Sequence, residues 1–196
     1  PVSPVICLVT DRRRFGPQWE APLLARIAAA AEAGISLVQV RERDLDGLAL
    51  LDLTARVLDA VRGTSTRVVV NERADVARAA GAHGVHLRGD SLSGHRLRSW
   101  VGRPWLIGRS VHGRDEAVDE ARGGAMDYLL FGTVFESASK PGRAAAGLET
   151  LADVCAASPL PVLAIGGVSA ATARRVASAG AAGLAAMGLF ADTDPA

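Results

Sequence analysis

Ile107-Gly108-Arg109-Ser110-Val111-His112 places a guanidinium, a hydroxyl and an imidazole within four positions, at the end of an apolar run that starts at Pro104. A neutral imidazole with an ordinary pKa of about 6.5 can accept and return a proton near neutral pH. His112 is therefore the first candidate for acid–base chemistry, with Ser110 beside it. Other polar groups follow apolar runs in the same way. Arg41 and Arg43 follow Leu37–Val40, and Asn71 and Glu72 follow Val68-Val69-Val70. Asp90-Ser91 comes soon after Gly84–Leu87, and Gly132-Thr133 follows Tyr128–Phe131. The last two runs end in Gly166-Gly167 and in Met187-Gly188. Paired glycines let backbone N–H groups approach an anion closely. Ser169 can cap the helix that follows, whose dipole favours negative charge. Lys140 is the only lysine, set in a loop rich in Ser, Gly, Pro and Ala from Glu136 to Gly147. It could clamp an anion from a lid.

These groups need a scaffold that brings strand ends together. Eight short apolar runs alternate with helical patterns at a period of about 20 to 25 residues, as parallel strands covered by helices require. The helical segments stop at glycines such as Gly34, Gly81 and Gly180. Among them, Leu48 to Val61 carries Leu48, Leu51, Leu53, Val57 and Leu58 at helical spacing, and Ser91 opens a helix with Leu92, Leu97 and Trp100. The expected fold is an α/β (β/α)8 TIM barrel, with residues 1–196 as a single domain. It is of minimal size against roughly 250 residues for the typical barrel, and its last helix is truncated. Active sites in this fold lie at the C-terminal ends of the strands, and phosphate sites often use the loops after the seventh and eighth. An open doubly wound sheet is the alternative, weakened because no GxGxxG follows the first strand.

Composition narrows the class. With 49% apolar residues, 22% charged residues and a net charge of +1, the chain has no basic footprint for nucleic acid. Cys7 and Cys155 form no metal-binding pattern and exclude a disulfide scaffold; two buried thiols are expected. No apolar run nears the roughly 18 residues of a membrane span, and no signal peptide is expected at Pro1-Val2-Ser3-Pro4. A cytoplasmic protein follows as the expectation.

Several segments, taken in order, resemble the thiamin phosphate synthase/TenI superfamily from about Val5 to Phe190. They are Val38-Gln39-Val40-Arg41-Glu42-Arg43, Asn71-Glu72-Arg73-Ala74-Asp75, Gly84-Val85-His86-Leu87, the Ile107–His112 motif, Asp127-Tyr128-Leu129-Leu130-Phe131-Gly132-Thr133-Val134-Phe135 and Ala164-Ile165-Gly166-Gly167. The resemblance implies a phosphate-binding barrel in thiamin biosynthesis, and two activities. The synthase joins a pyrimidine pyrophosphate to a thiazole phosphate. It holds Mg2+ with two aspartates, where this chain has Glu72 and, at the second, Ser91 with Asp90 one residue early. Where the synthase carries a Thr-x-Thr-Lys signature after the sixth strand, this chain has Ser137-Ala138-Ser139-Lys140. Mg2+ demands near-octahedral geometry, which makes Glu72 and Asp90 poor substitutes.

The TenI-like patterns are closer, and their proton-shuttling histidine falls on His112. The resulting expectation is a TenI-like thiazole tautomerase, an isomerase without cofactor, acting on a phosphorylated thiazole. His112 would move the proton, and Gly166, Gly167, Met187 and Gly188 would seat the phosphate. Arg41 and Lys140 would contact anionic groups, with Asn71 and Ser110 lining the site. The alternatives are a Mg2+-dependent synthase using Glu72 and Asp90, or a non-catalytic regulator that binds a thiamin precursor. A homo-oligomer, dimer or tetramer, is expected, with neither nucleic acid nor membrane as partner.

Overall fold

Strands covered on both faces are built largely of apolar residues, and Leu37–Val40, Gly84–Leu87 and Tyr128–Phe131 are buried at every residue, with Gln39 and His86 as buried polar side chains among them. The computed structural model describes residues 4–136 and 144–191. Eight parallel strands close into a barrel in chain order, β1 (Val5–Val9), β2 (Leu37–Val40), β3 (Arg67–Asn71), β4 (Gly84–Leu87), β5 (Leu106–Val111), β6 (Tyr128–Phe131), β7 (Val162–Ile165) and β8 (Gly183–Ala186). The helices between them are α1 (Glu20–Glu32), α2 (Gly47–Ala60), α3 (Ala74–Ala79), α4 (Gly94–Val101), α5 (Arg114–Arg122), α6 (Gly147–Ala157) and α7 (Ala170–Ser178). The last helix, α8, runs over Gly188–Ala191 among the described residues.

The contacts divide the chain into two units. One is Ile6–Val85 with the residues from Met187 onward; the other is His86–Ala186 with the residues up to Val5. In the first unit β2 pairs with β1 and β3, with Gln39 level with Val9 and Val69. Asp46 caps α2 by accepting the Ala49 N–H at 2.9 Å. Leu50, Leu53, Thr54 and Val57 form its buried stripe, whereas Leu48 is 80% exposed. At 100° per residue Leu48 falls off the stripe set by Leu50 and Leu53, so it does not join the core face expected for it.

In the second unit β6 pairs with β5 and β7, and β7 with β8. The Val5 N–H donates to the Ala182 carbonyl at 3.0 Å. At the start of β5 and β6, Asp127 accepts the Ile107 N–H at 2.7 Å and pairs with Arg98 at 2.5 Å. α4 starts later than Ser91, because Ser93 takes the N-cap, and Trp100 is half exposed rather than in the core. Cys7 is buried and its thiol is pushed up to about 12 by desolvation, while Cys155 is half-buried rather than buried. Among the described residues, no helix is long and apolar enough to cross a membrane.

Candidate functional site

The strand ends of the first unit are tied by backbone and side-chain bonds. Gln39 on β2 is buried, and its amide donates to Asn71 Oδ1 at 3.0 Å, which orients the Asn71 side chain at the end of β3. Gln39 was not among the residues singled out from sequence. A polar residue amid an apolar strand was its available signal. Thr10 Oγ1 accepts the Arg41 N–H at 2.9 Å and fixes the residue where β2 ends. Glu72 follows β3 with φ 65°, the only non-glycine positive φ among the described residues. A glutamate in the left-handed region carries strain, and such strain collects at functional positions. Met187 lines a small cavity with Val9, Phe15, Leu23 and Phe190, beside Asp11, Arg14 and Arg26.

Glu42 is buried and accepts the Arg12 N–H at 3.0 Å, while Arg12 reaches Asp44 at 2.8 Å. Burial pushes the Glu42 carboxyl above the usual carboxylate range, against the lowering effect of the Thr10 hydroxyl and the Arg12 N–H. Arg12 and Arg13 hold exposed Asp44 down at about 2. A folded pKa above the unfolded one means that Glu42 contributes stability below the unfolded value of 4.5, and this is lost as pH rises through the folded value. Asp44 runs the other way: its contribution is present above 3.8 and lost as pH falls through about 2. Glu42→Gln keeps the acceptor without the buried charge. Its Tm relative to wild type is expected to rise as pH climbs above 4.5, where Asp44 stays ionised in both folded proteins. Thermal melts across that range measure it, and a flat difference would contradict the assignment to Glu42.

In the second unit the site is centred on β4, β5 and β6. His86 is 1% exposed; its Nε2 lies 2.9 Å from Ser110 Oγ and its Nδ1 lies 3.1 Å from Tyr128 Oη. Ser110 is half-buried at the open end of this chain of groups. Arg109, one residue before, leaves the strand on the opposite face. Its guanidinium donates to the carbonyls of Arg88, Gly89 and Leu92 and pairs with Glu120 of α5. Its task is to hold the loop after β4. His112 is exposed past the end of β5; its N–H donates to Glu116 Oε2 at 2.7 Å, and Nδ1 lies 3.7 Å from the same oxygen. That bond ties the entry to α5.

Gly166 and Gly167 have φ 97° and 63° and form the turn after β7. A Cβ on Gly166 would lie 2.5 Å from Thr133 Cγ2, and one on Gly167 would lie 2.4 Å from the Glu136 carbonyl oxygen. Both positions therefore need glycine. The Ser169 N–H donates to Thr172 Oγ1 at 2.9 Å and opens α7 behind this turn. Gly188 is the first residue of α8. Lys140 and the rest of 137–143 lie outside the described residues.

The described residues hold no cluster of three or more His, Cys, Asp or Glu suited to a metal ion. Mg2+ does not need one, since it is often bound by one or two carboxylates with substrate phosphates and water. Asp90 is committed to Arg88 at 2.5 Å, with its side chain 70% exposed. Glu72, the other carboxylate expected there, is half-buried just past β3.

A family model described as thiamine monophosphate synthase matches residues 6–190. The thiamine-phosphate synthase of Chlorobium limicola is 36% identical over 94% of this chain and 85% of its own. That of Roseiflexus castenholzii is 35% identical over 92% and 78%. Among solved structures, the thiamine phosphate pyrophosphorylase of Pyrococcus furiosus superposes with a TM-score of 0.83, at 26% identity over 97% and 88% of the two chains. A 3-hexulose-6-phosphate synthase, at 18% identity and a TM-score of 0.69, shares the fold alone. These relatives overturn the expected tautomerase and its isomerase class in favour of the synthase alternative. The His112 motif and the two altered aspartate positions are local features, whereas similarity over nearly the whole chain points to the synthase. The chain belongs to the thiamine monophosphate synthase/TenI family.

Proposed function

We propose that this protein is a thiamine-phosphate synthase, a transferase that joins a pyrimidine pyrophosphate to a thiazole phosphate and releases pyrophosphate. The observation that carries the reading is 36% identity over 94% of the chain to a protein of that name. The chemistry of the strand ends supports it. As the bond to pyrophosphate breaks, its electron pair leaves with the diphosphate, and negative charge builds on the departing oxygens. Donors aimed at that charge lower the barrier. Arg41 and Ser110 are suited to those oxygens, and Gly166-Gly167, with α7 behind, to a phosphate on the second substrate. Asn71, oriented by Gln39, is suited to a polar edge of a heterocycle. Lys140 remains a proposed anion contact.

Glu72 would hold Mg2+, which when bound offsets charge on the diphosphate. Wild-type protein with both substrates and Mg2+ is expected to form thiamin phosphate, and Glu72→Gln is expected to lose about 100-fold or more in kcat/KM. No product from wild type at saturating substrates would overturn the synthase reading. A full rate in excess chelator would overturn the role of Glu72 alone.

A further inference from the structure

We infer that Tyr128 is a positioning residue that sets the tautomer of His86 and thereby makes Ser110 an outward-facing hydrogen-bond donor. The inference deepens the synthase reading and rests on it for the identity of the acceptor, a diphosphate oxygen. The three groups form a line, Tyr128 Oη to His86 Nδ1 at 3.1 Å and His86 Nε2 to Ser110 Oγ at 2.9 Å. Tyr128 and His86 are buried, and Ser110 is half-buried. The line exists because β5 has glycine at 108, level with Tyr128 on β6. A Cβ there would lie 2.0 Å from Tyr128 Cζ, so the ring occupies the space a side chain would take.

A neutral imidazole donates from one nitrogen and accepts at the other, so the line has two consistent polarities. In one, the phenol donates to Nδ1, Nε2–H donates to Ser110, and the serine hydrogen is turned outward. In the other, Nδ1–H donates to the phenol oxygen and Ser110 spends its hydrogen on Nε2. A phenol O–H, with a pKa of about 10, is a better donor than acceptor. It selects the first polarity, in which Ser110 meets an anion with a hydrogen rather than a lone pair. A hydrogen bond to a charged group is among the stronger ones, so the polarity matters for binding and for the departing charge.

Tyr128→Phe keeps the ring and removes the donor. Pyrophosphate affinity, read by calorimetry, and kcat/KM with both substrates are expected to fall about tenfold or more. In a Ser110→Ala background the same substitution is expected to change either value less than about twofold, because the group it orients is gone. An equal loss in both backgrounds would reduce Tyr128 to packing and overturn the inference. Nitrogen-15 NMR of the imidazole gives a second measure independent of turnover: His86 is expected with its proton on Nε2 in wild type. A proton on Nδ1 would overturn the inference. If wild type forms no thiamin phosphate, the synthase reading fails, while the tautomer measurement still decides the role of Tyr128.

Discussion

Arg109→Met is expected to lower stability by about 3–5 kcal/mol, seen as a shift of the urea midpoint at unchanged slope. The guanidinium is 3% exposed and serves three carbonyls, Arg88 at 2.9 Å, Gly89 at 3.2 Å and Leu92 at 2.6 Å. Without it those carbonyls lose their donor, and Glu120 loses its cation at 3.2 Å. Unmade bonds in a buried setting cost more than the net value of the bonds themselves. Lysine is not expected to rescue, because one ammonium cannot span acceptors that the planar fork reaches together. Arg109→Lys should therefore fall much nearer to Met than to wild type. A lysine variant as stable as wild type would show that charge alone, and not the fork, holds the loop.

Gly167→Ala is expected to cost about 2–5 kcal/mol and to raise KM for the phosphorylated thiazole about tenfold or more. The left-handed backbone accounts for roughly 1–2 kcal/mol and overpacking for about 1–3. At φ 63° the new Cβ would lie 2.4 Å from the Glu136 carbonyl oxygen and 2.7 Å from Phe135 Cβ. Neither can yield freely, since the Phe135 N–H donates to the Gly166 carbonyl at 3.0 Å and Val134 N–H to Ile165 at 3.0 Å. Gly63→Ala is the control: φ is 83° there, with nothing within 4 Å of the Cβ. It should show the backbone cost alone and leave KM unchanged. Equal destabilisation by the two substitutions would remove the close approach from the account.

The barrel was legible because its signals are local. Runs such as Val68-Val69-Val70 and Leu37–Val40, recurring between helical patterns, read as strands covered on both faces, and glycines such as Gly34 and Gly81, with φ 87° and 74°, end helices by a conformation other residues avoid. The glycine pair after β7 was legible for the same reason. Helix faces were read less well. Leu48 fits a helical spacing yet is exposed, since several stripes can be drawn through a leucine-rich helix and burial chooses among them.

The sequence by itself determined the alternation of strands and helices, the positions where strands end, and membership of a family whose motifs run through the chain. Only the tertiary structure decided what Ile107–His112 does. Adjacent strand residues face opposite ways, so Arg109 holds a loop while Ser110 joins His86, 24 positions earlier in the chain. His112, beyond the last strand residue, turns instead to Glu116. Which histidine lies beside Ser110 depends on register between strands far apart in sequence, and no local spacing carries that.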